Sequence, residues 1–310
     1  MLPLSVICTA DNTYAMPLAV VLYSVMANLK SKERVAFFVI DGGISKQNKH
    51  KIQKSLDIEK CQINWINVPR NKFKNLKIDS GISVSAYHRL LVDELLPSEL
   101  HKVIYLDSDL VVIGDLGELW AKEIGDQYLL AVQDAGIGYV SGKTGLMNYR
   151  ELGIDPDCKY FNSGVMVINL KKWRADSIGQ KVLAYIQQNH QYIRLHDQDG
   201  LNAILAGHWG ELDPRWNRTP QIFYYASWQD SPFLEADYKN MIDNPYIIHF
   251  ATTGRKPWNQ LQYPDGDVFY KYLDMTDWAG WRYNRWRALQ HQAFLVWRKF
   301  KRKVLAKGLS

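Results

Sequence analysis

The chain has only three cysteines in 310 residues, Cys8, Cys61 and Cys158, spaced far apart. That excludes a disulfide framework and a CxxC zinc clamp, and it points to a reducing compartment. No uncharged apolar run reaches the roughly 18 residues that a membrane-spanning helix needs. The opening MLPLSVICTA has no basic residue and meets Asp11 at once, so no signal peptide is expected. Neither GxGxxG nor GxxxxGK followed by Ser or Thr occurs, which disfavours dinucleotide dehydrogenases and P-loop enzymes. Acidic residues are missing from 278–310, which holds nine of the 38 Lys and Arg side chains. The first 277 residues therefore carry 29 basic against 32 acidic groups, and the formal charge of +6 describes a tail. Such asymmetry points to a membrane or polyanion contact at one end.

What is present suits one large or two smaller domains with a substantial core. Leu4–Thr9, Arg34–Ile40, Gln62–Val68, Lys102–Leu106, Leu129–Val132 and Val165–Asn169 read as strands. Pro17–Asn28, Ser45–Leu56 and Ala86–Leu95 read as helices. This alternation predicts an α/β fold, a mostly parallel sheet flanked by helices on both faces. In such sheets ligands collect at the carboxyl ends of strands. Ala10-Asp11-Asn12-Thr13-Tyr14, Asp107-Ser108-Asp109 and Asp134 all fall at those ends.

Five clusters carry possible chemistry. Asp107 and Asp109 flank Ser108 where an apolar strand stops, a hard oxygen pair suited to Mg²⁺ or Mn²⁺, or else a turn rich in local hydrogen bonds. His249 follows two isoleucines and precedes Gly254-Arg-Lys-Pro-Trp. The imidazole suits Mn²⁺ and Lys256 suits phosphate, although a strand-end histidine and a solvated basic turn read equally well. Asn162 and Gly164 precede the strand at Val165, either as a turn or with Asn162 on sugar hydroxyls. In His196-Asp-Gln-Asp-Gly, Asp197 or Asp199 would cap a helix through Leu205, which leaves one acid and Gln198 unexplained. Arg89, in Ser83-Val-Ser-Ala-Tyr-His-Arg-Leu, either snorkels, pairs with a surface acid or approaches a diphosphate.

In this order and spacing the clusters resemble the family 8 retaining glycosyltransferases of GT-A fold, and in particular bacterial lipopolysaccharide galactosyl- and glucosyltransferases. The likeness spans Val6 to Trp258 and rests mainly on FNSGVMVINLKKW and on YLDSD with HDQD. It implies a UDP-galactose or UDP-glucose donor, Mn²⁺ with Mg²⁺ as the alternative, and a lipopolysaccharide, glycan or glycolipid acceptor. By position, Ala10, Asp11, Asn12 and Tyr14 match the uridine cradle, with Tyr14 stacked on uracil. Asp107, Asp109 and His249 match the metal ligands, and Ser108, Gly254 and Lys256 the nucleotide-sugar contacts, Lys256 at the diphosphate. Arg89, Asp134, Asn162, Asp197 and Gln198 match the donor-sugar and reaction-centre positions. The step from His249 to Lys256 is one residue longer than the family's usual loop, which makes Arg255 a rival for the phosphate. Gly81 stands where some relatives carry histidine. Gln198 is an amide and a poor nucleophile, so attack by the acceptor on the leaving-group face is expected, with the departing phosphate as base.

The expected division is a catalytic domain over 1–277 and a basic aromatic tail over 278–310. In the tail, Trp286, Leu289, Ala293, Val296, Trp297, Phe300 and Val304 recur at helical spacing opposite the basic residues. Such a helix is suited to an anionic headgroup layer, so the expected location is cytoplasmic, peripheral on the inner face of the membrane. Packing of the same stripe on the catalytic domain is the alternative. Other readings are a sugar nucleotidyltransferase and a non-catalytic carbohydrate-binding protein using the 11 Trp and 18 Tyr. Nucleic-acid binding is not expected, because no reading module is present.

Overall fold

A computed structural model describes residues 3–31, 33–68, 84–252, 254–287 and 289. Its strands are β1 (Leu4–Ala10), β2 (Val35–Asp41), β3 (Cys61–Asn67), β4 (Lys102–Leu106), β5 (Leu110–Val112), β6 (Leu129–Gln133), β7 (Phe161–Asn169), β8 (Gly210–Glu211) and β9 (Ile247–His249). Seven of them form one sheet in the order β3-β2-β1-β4-β7-β6-β8. Within it β7 is antiparallel to both β4 and β6, and the remaining pairs are parallel. The sheet is therefore mixed and mostly parallel, as the alternation predicts.

Alternation along the strands builds a core on each face. Leu4, Val6, Cys8 and Ala10 of β1 pack with Leu18, Leu22 and Val25 of α1 (Ala15–Asn28). Ile7 faces the other way, into a core with Tyr105, Trp173 and Val182. There α5 (Leu170–Ala175), α6 (Ile178–Gln188) and α7 (Asp197–Leu205) cover the sheet. Ser45 caps α2 (Lys46–Lys54), its hydroxyl accepting the Asn48 N–H, as its position before a helical run leads one to expect.

Two features bring functional groups to one edge. The strand order reverses between β1 and β4, so their carboxyl ends open a crevice. Because β7 runs against its neighbours, its amino end reaches the same edge. There its register with β6 jumps from Ala131–Met166 to Val132–Asn162, leaving Ser163, Gly164 and Val165 in a bulge.

Three local expectations are corrected. The strand begins at Phe161, not Val165, so Asn162 and Gly164 lie inside it. Their turn-like composition misleads because buried side-chain partners satisfy Asn162 and Ser163 there. The segment Ala86–Leu95 is not one α-helix: Val84–Leu91 is 3-10, and only Val92–Leu95 (α3) is α-helical. Residues 87–92 are all buried, so burial on every side overrides helical amphipathicity. Neither Asp197 nor Asp199 caps α7. The cap position is His196, at φ 51° and ψ −116°, and both acids lie in the first turn. Asp199 instead accepts the Arg194 and Leu195 N–H groups and the Tyr160 hydroxyl.

No helix among the described residues is long and apolar enough to cross a membrane. Trp278 and Trp281 pack on a cluster that includes Phe250, Phe269 and Leu273 of α9 (Gly266–Leu273). Trp286 and Leu289 are 68% and 59% exposed. The rest of the expected tail helix, from residue 290 onward, lies outside the described residues, as do Gly81, Ser83 and Thr253.

Candidate active site

β4 ends at Leu106, and Asp107 follows, anchored by its N–H to the Gly164 carbonyl at 2.8 Å. Three residues on, β5 pairs antiparallel with β9, matching Leu110 with His249. This three-residue pairing carries His249 to the Asp-Ser-Asp turn. His249 Nε2 lies 3.3 Å from Asp109 Oδ1 and 3.7 Å from Asp107 Oδ2. One ligand atom from each of the three residues lies within 4.8 Å of the others.

These residues fit a divalent cation on two grounds. The donor set is two carboxylates and an imidazole, which Mn²⁺ accepts readily. The residue beside them is Gly164, where a Cβ would stand 2.2 Å from His249 Cε1 and 2.8 Å from Asp107 Oδ2. Only a residue without a side chain lets Asp107 and His249 converge at this spot.

Arg89 lies beneath the carboxylates rather than at the surface. It donates to Asp107 Oδ1 at 2.7 Å and to the Ser163 carbonyl at 2.8 Å, and pairs with Asp197 Oδ2 at 3.1 Å. Its guanidinium stacks over the Tyr105 ring at 4.6 Å. Burial opposes its charge, but Asp107 and Asp197 outweigh burial and hold it cationic. Burial raises the Asp197 carboxyl, with Arg89 pulling the other way. For Asp109 burial also pushes upward, yet Lys256 and His249 prevail and keep it well below the usual carboxylate range. Lys256 pairs with Asp109 Oδ2 and donates to the Phe250 carbonyl at 2.6 Å. Lys256 is 7% exposed, whereas its neighbour Arg255 is exposed.

A second group of polar side chains adjoins the first. Asp134 Oδ2 accepts from Asn162 Nδ2 at 2.9 Å and from Gln198 Nε2 at 3.1 Å. Gln198 Oε1 accepts the Ser163 N–H at 3.0 Å. One turn further along α7, Asn202 clamps both backbone polar groups of Phe161, fixing the helix to the start of β7.

A cavity of about 520 Å³ joins the two groups. It is lined by Arg89, Asp107, Asp109, Asp134, Asn162, Asp197, Gln198, His249 and Lys256, among others. Those nine were all expected from the sequence. Ala10, Asp11, Asn12, Tyr14, Ser108 and Gly254 do not line it. Asp11 accepts the Thr13 and Tyr14 N–H groups, and Asn12 Oδ1 accepts from Ser45 and Asn48. Tyr14 meets Trp258 edge-on at 5.8 Å. The Ser108 hydroxyl donates to the Thr9 carbonyl at 2.7 Å.

Sequence reasoning missed Asn217, whose Oδ1 lies 2.9 Å from His249 Nδ1, and Gln221, which lines the cavity and donates to the Ala251 carbonyl. Neither sits in a periodic or motif-like stretch, so no sequence signal marks them. The stretch Trp216–Trp228 starts buried at Trp216 through Thr219 and is exposed at Phe223 and Tyr224.

The sequence pattern of Glycosyl transferase family 8 matches residues 5–262. General stress protein A of Bacillus subtilis is 32% identical over 277 residues, covering 88% of this chain and 94% of that protein. A lipopolysaccharide 1,2-glucosyltransferase of Escherichia coli is 26% identical over 278 residues, covering 89% of this chain and 79% of that one. Among solved structures, the galactosyltransferase LgtC in complex with donor and acceptor sugar analogues superposes with a TM-score of 0.76 at 27% identity, covering 92% of this chain and 99% of that chain. The mixed seven-stranded sheet with its flanking helices is the GT-A fold. With its sequence matched over most of its length, the chain belongs to glycosyl transferase family 8.

Proposed function

We propose that the protein is a metal-dependent, retaining hexosyltransferase that moves galactose or glucose from a UDP-sugar to a lipopolysaccharide or related glycan or glycolipid acceptor. The observation that carries this reading is the meeting of Asp107, Asp109 and His249 with the Asn162–Asp134–Gln198 group in one cavity. Asp107, Asp109 and His249 would hold Mn²⁺, or Mg²⁺, which supplies Lewis-acid neutralisation of a diphosphate. Lys256 adds a fixed cation at the same side of the cavity, where it meets charge that grows as UDP departs. Ala10, Asp11, Asn12 and Tyr14 would cradle the uridine at the end of β1, with Ser108 and Gly254 beside the nucleotide. Asp134 and Asn162 offer polar groups to the sugar hydroxyls, and Arg89 holds Asp107 and Asp197 in place.

The hydrogen bonding of Gln198 favours a supporting role over a nucleophilic one. Its Oε1 already accepts the Ser163 N–H, and its Nε2 is committed to Asp134. Its amide dipole thus stands beside the sugar site and steadies a developing oxocarbenium ion, while the acceptor attacks from the leaving-group face. Family membership favours this reading over a nucleotidyltransferase. The tail from 278 onward would hold the enzyme at an anionic inner membrane surface, with residues 1–277 as the catalytic domain.

The test is a donor screen. Purified protein is given UDP-galactose, UDP-glucose, UDP-N-acetylglucosamine or GDP-mannose with Mn²⁺, and released nucleotide diphosphate is measured. A UDP-hexose should be consumed, and NMR of the product should show an α-linked anomeric proton. Turnover of GDP-mannose alone, or a β-linked product, refutes the assignment.

A further inference from the structure

Asn217 closes a short 3-10 turn, Pro214–Asn217, and is 2% exposed. The backbone beyond it is stitched to β9: the Arg218 N–H donates to the Ile247 carbonyl and the His249 N–H to the Arg218 carbonyl. Its side chain touches His249 on one side and Asn162 on the other, at 2.9 Å each.

The direction of every hydrogen bond in this chain follows from one backbone group. The Gly164 N–H is a donor by necessity, and it points at Asn162 Oδ1 from 3.0 Å. That fixes the Asn162 amide with its oxygen toward Gly164 and its nitrogen toward Asp134, a carboxylate that accepts. Asn217 meets the same Asn162 oxygen, so it must present its own Nδ2 there. Its Oδ1 is then left for His249 Nδ1, which must carry the proton. Nε2, the other ring nitrogen, is the atom that faces Asp107 and Asp109 and the one a cation would take. At the other end Asp134 also accepts from Gln198, whose orientation is fixed separately by the Ser163 N–H.

We propose that Asn217 is a positioning residue for the transfer reaction. It locks the His249 ring with Nε2 open to a cation, and it ties that ring through Asn162 and Asp134 to Gln198 at the sugar side of the cavity. The inference rests on the metal-dependent reading above. Outer partners of this kind orient histidine ligands, and removing one typically weakens metal binding by about 10- to 100-fold.

The experiment reads the ring and the metal separately. Metal-free full-length protein with nitrogen-labelled histidine is examined by long-range proton–nitrogen NMR, with His249→Gln assigning one resonance set among the eight histidines. Mn²⁺ affinity is then measured by EPR titration. Wild type should show a proton held on His249 Nδ1. Asn217→Ala should show a tautomer mixture and bind Mn²⁺ about 10- to 100-fold more weakly. Asn217→Asp keeps the shape and the acceptor for His249 but removes the donor to Asn162. It should hold Mn²⁺ near the wild-type affinity while kcat falls, and it carries the test if Asn217→Ala does not fold. A His249 Nδ1 without a proton in wild type, or wild-type Nδ1 signal and Mn²⁺ affinity in Asn217→Ala, overturns the proposal. Unchanged kcat in Asn217→Asp overturns the link to the sugar side. Wild-type protein that binds no Mn²⁺ refutes the cation reading itself, and the tautomer then still decides whether Asn217 sets the ring.

Discussion

Replacing Gly164 with alanine adds one methyl group at the tightest point of the molecule's chemistry. The new Cβ would lie 2.2 Å from His249 Cε1, 2.8 Å from Asp107 Oδ2 and 2.9 Å from His249 Nδ1. Carbon atoms rest comfortably at about 3.5–4.0 Å, so the ring or the bulge must move by about 1.3 Å or more. His249 has little room to yield, because its Nδ1 is held by Asn217 and its backbone by β5 and Arg218. Overpacking of this sort costs about 1–3 kcal/mol of stability, and a misplacement near 1 Å at a reaction centre can cost about 100-fold in rate. Gly164→Ala should therefore lower stability within that range, weaken Mn²⁺ binding and cut UDP release by about 100-fold. Gly266→Ala is the control, since its nearest neighbour to a new Cβ is 3.7 Å away and it opens α9. Alanine there should be neutral or slightly stabilising. Denaturant unfolding, Mn²⁺ titration and UDP release are compared for the two variants. If Gly164→Ala matches wild type in all three, the close convergence of Asp107, His249 and β7 is not as described.

Arg89→Ala strips the shared partner from Asp107 and Asp197 and should cost about 3–5 kcal/mol of stability; a loss below about 1 kcal/mol in urea unfolding contradicts the buried ion-pair assignment. Lys256→Ala should weaken UDP binding by about 10-fold or more by calorimetry, whereas Arg255→Ala, whose side chain is exposed and off the cavity, should bind as wild type; the reverse pattern assigns the phosphate to Arg255. Burial holds the His88 imidazole down at about 4 in the folded chain, against an ordinary value near 6.5. The unfolded chain therefore takes up a proton between about pH 6.5 and 4 that the folded chain does not, so stability falls as pH falls through that window, by up to about 3 kcal/mol. His88→Asn should flatten that slope, and a wild-type-minus-variant difference that is constant with pH contradicts it. Deleting 286–310 should leave UDP release intact and abolish low-salt co-sedimentation with anionic liposomes, each basic residue near the leaflet contributing about 1 kcal/mol; full-length protein that stays in the supernatant at low salt refutes the membrane contact.

The parallel half of the sheet was legible because β1, β2, β3 and β4 are apolar runs or alternations bounded by polar turns. Asp107 and Asp109 were legible as candidate cation ligands because they end such a run, and the family resemblance joined His249 to them. What was not legible depends on pairing across long separations. β5 and β9 have three residues each, too few for any period, yet their register is what sets His249 against Asp109. Asn162 and Ser163 read as turn residues because their partners, Asp134, Gln198 and Asp197, are distant in sequence. Asp197 and Asp199 looked like helix caps because local propensity cannot register that His196 adopts a positive φ and takes the cap position, which puts both acids in the first turn. The residues alone left Arg89 between a surface role and a diphosphate contact, because nothing local shows the two carboxylates that enclose it.

The most direct test of the central claim is UDP release from the preferred UDP-hexose by wild-type protein before and after EDTA, and again after Mn²⁺ is restored, beside Asp109→Asn. EDTA should abolish release, Mn²⁺ should restore it, and Asp109→Asn should stay inactive throughout. Undiminished release in EDTA, or an active Asp109→Asn, would contradict a cation held by Asp107, Asp109 and His249.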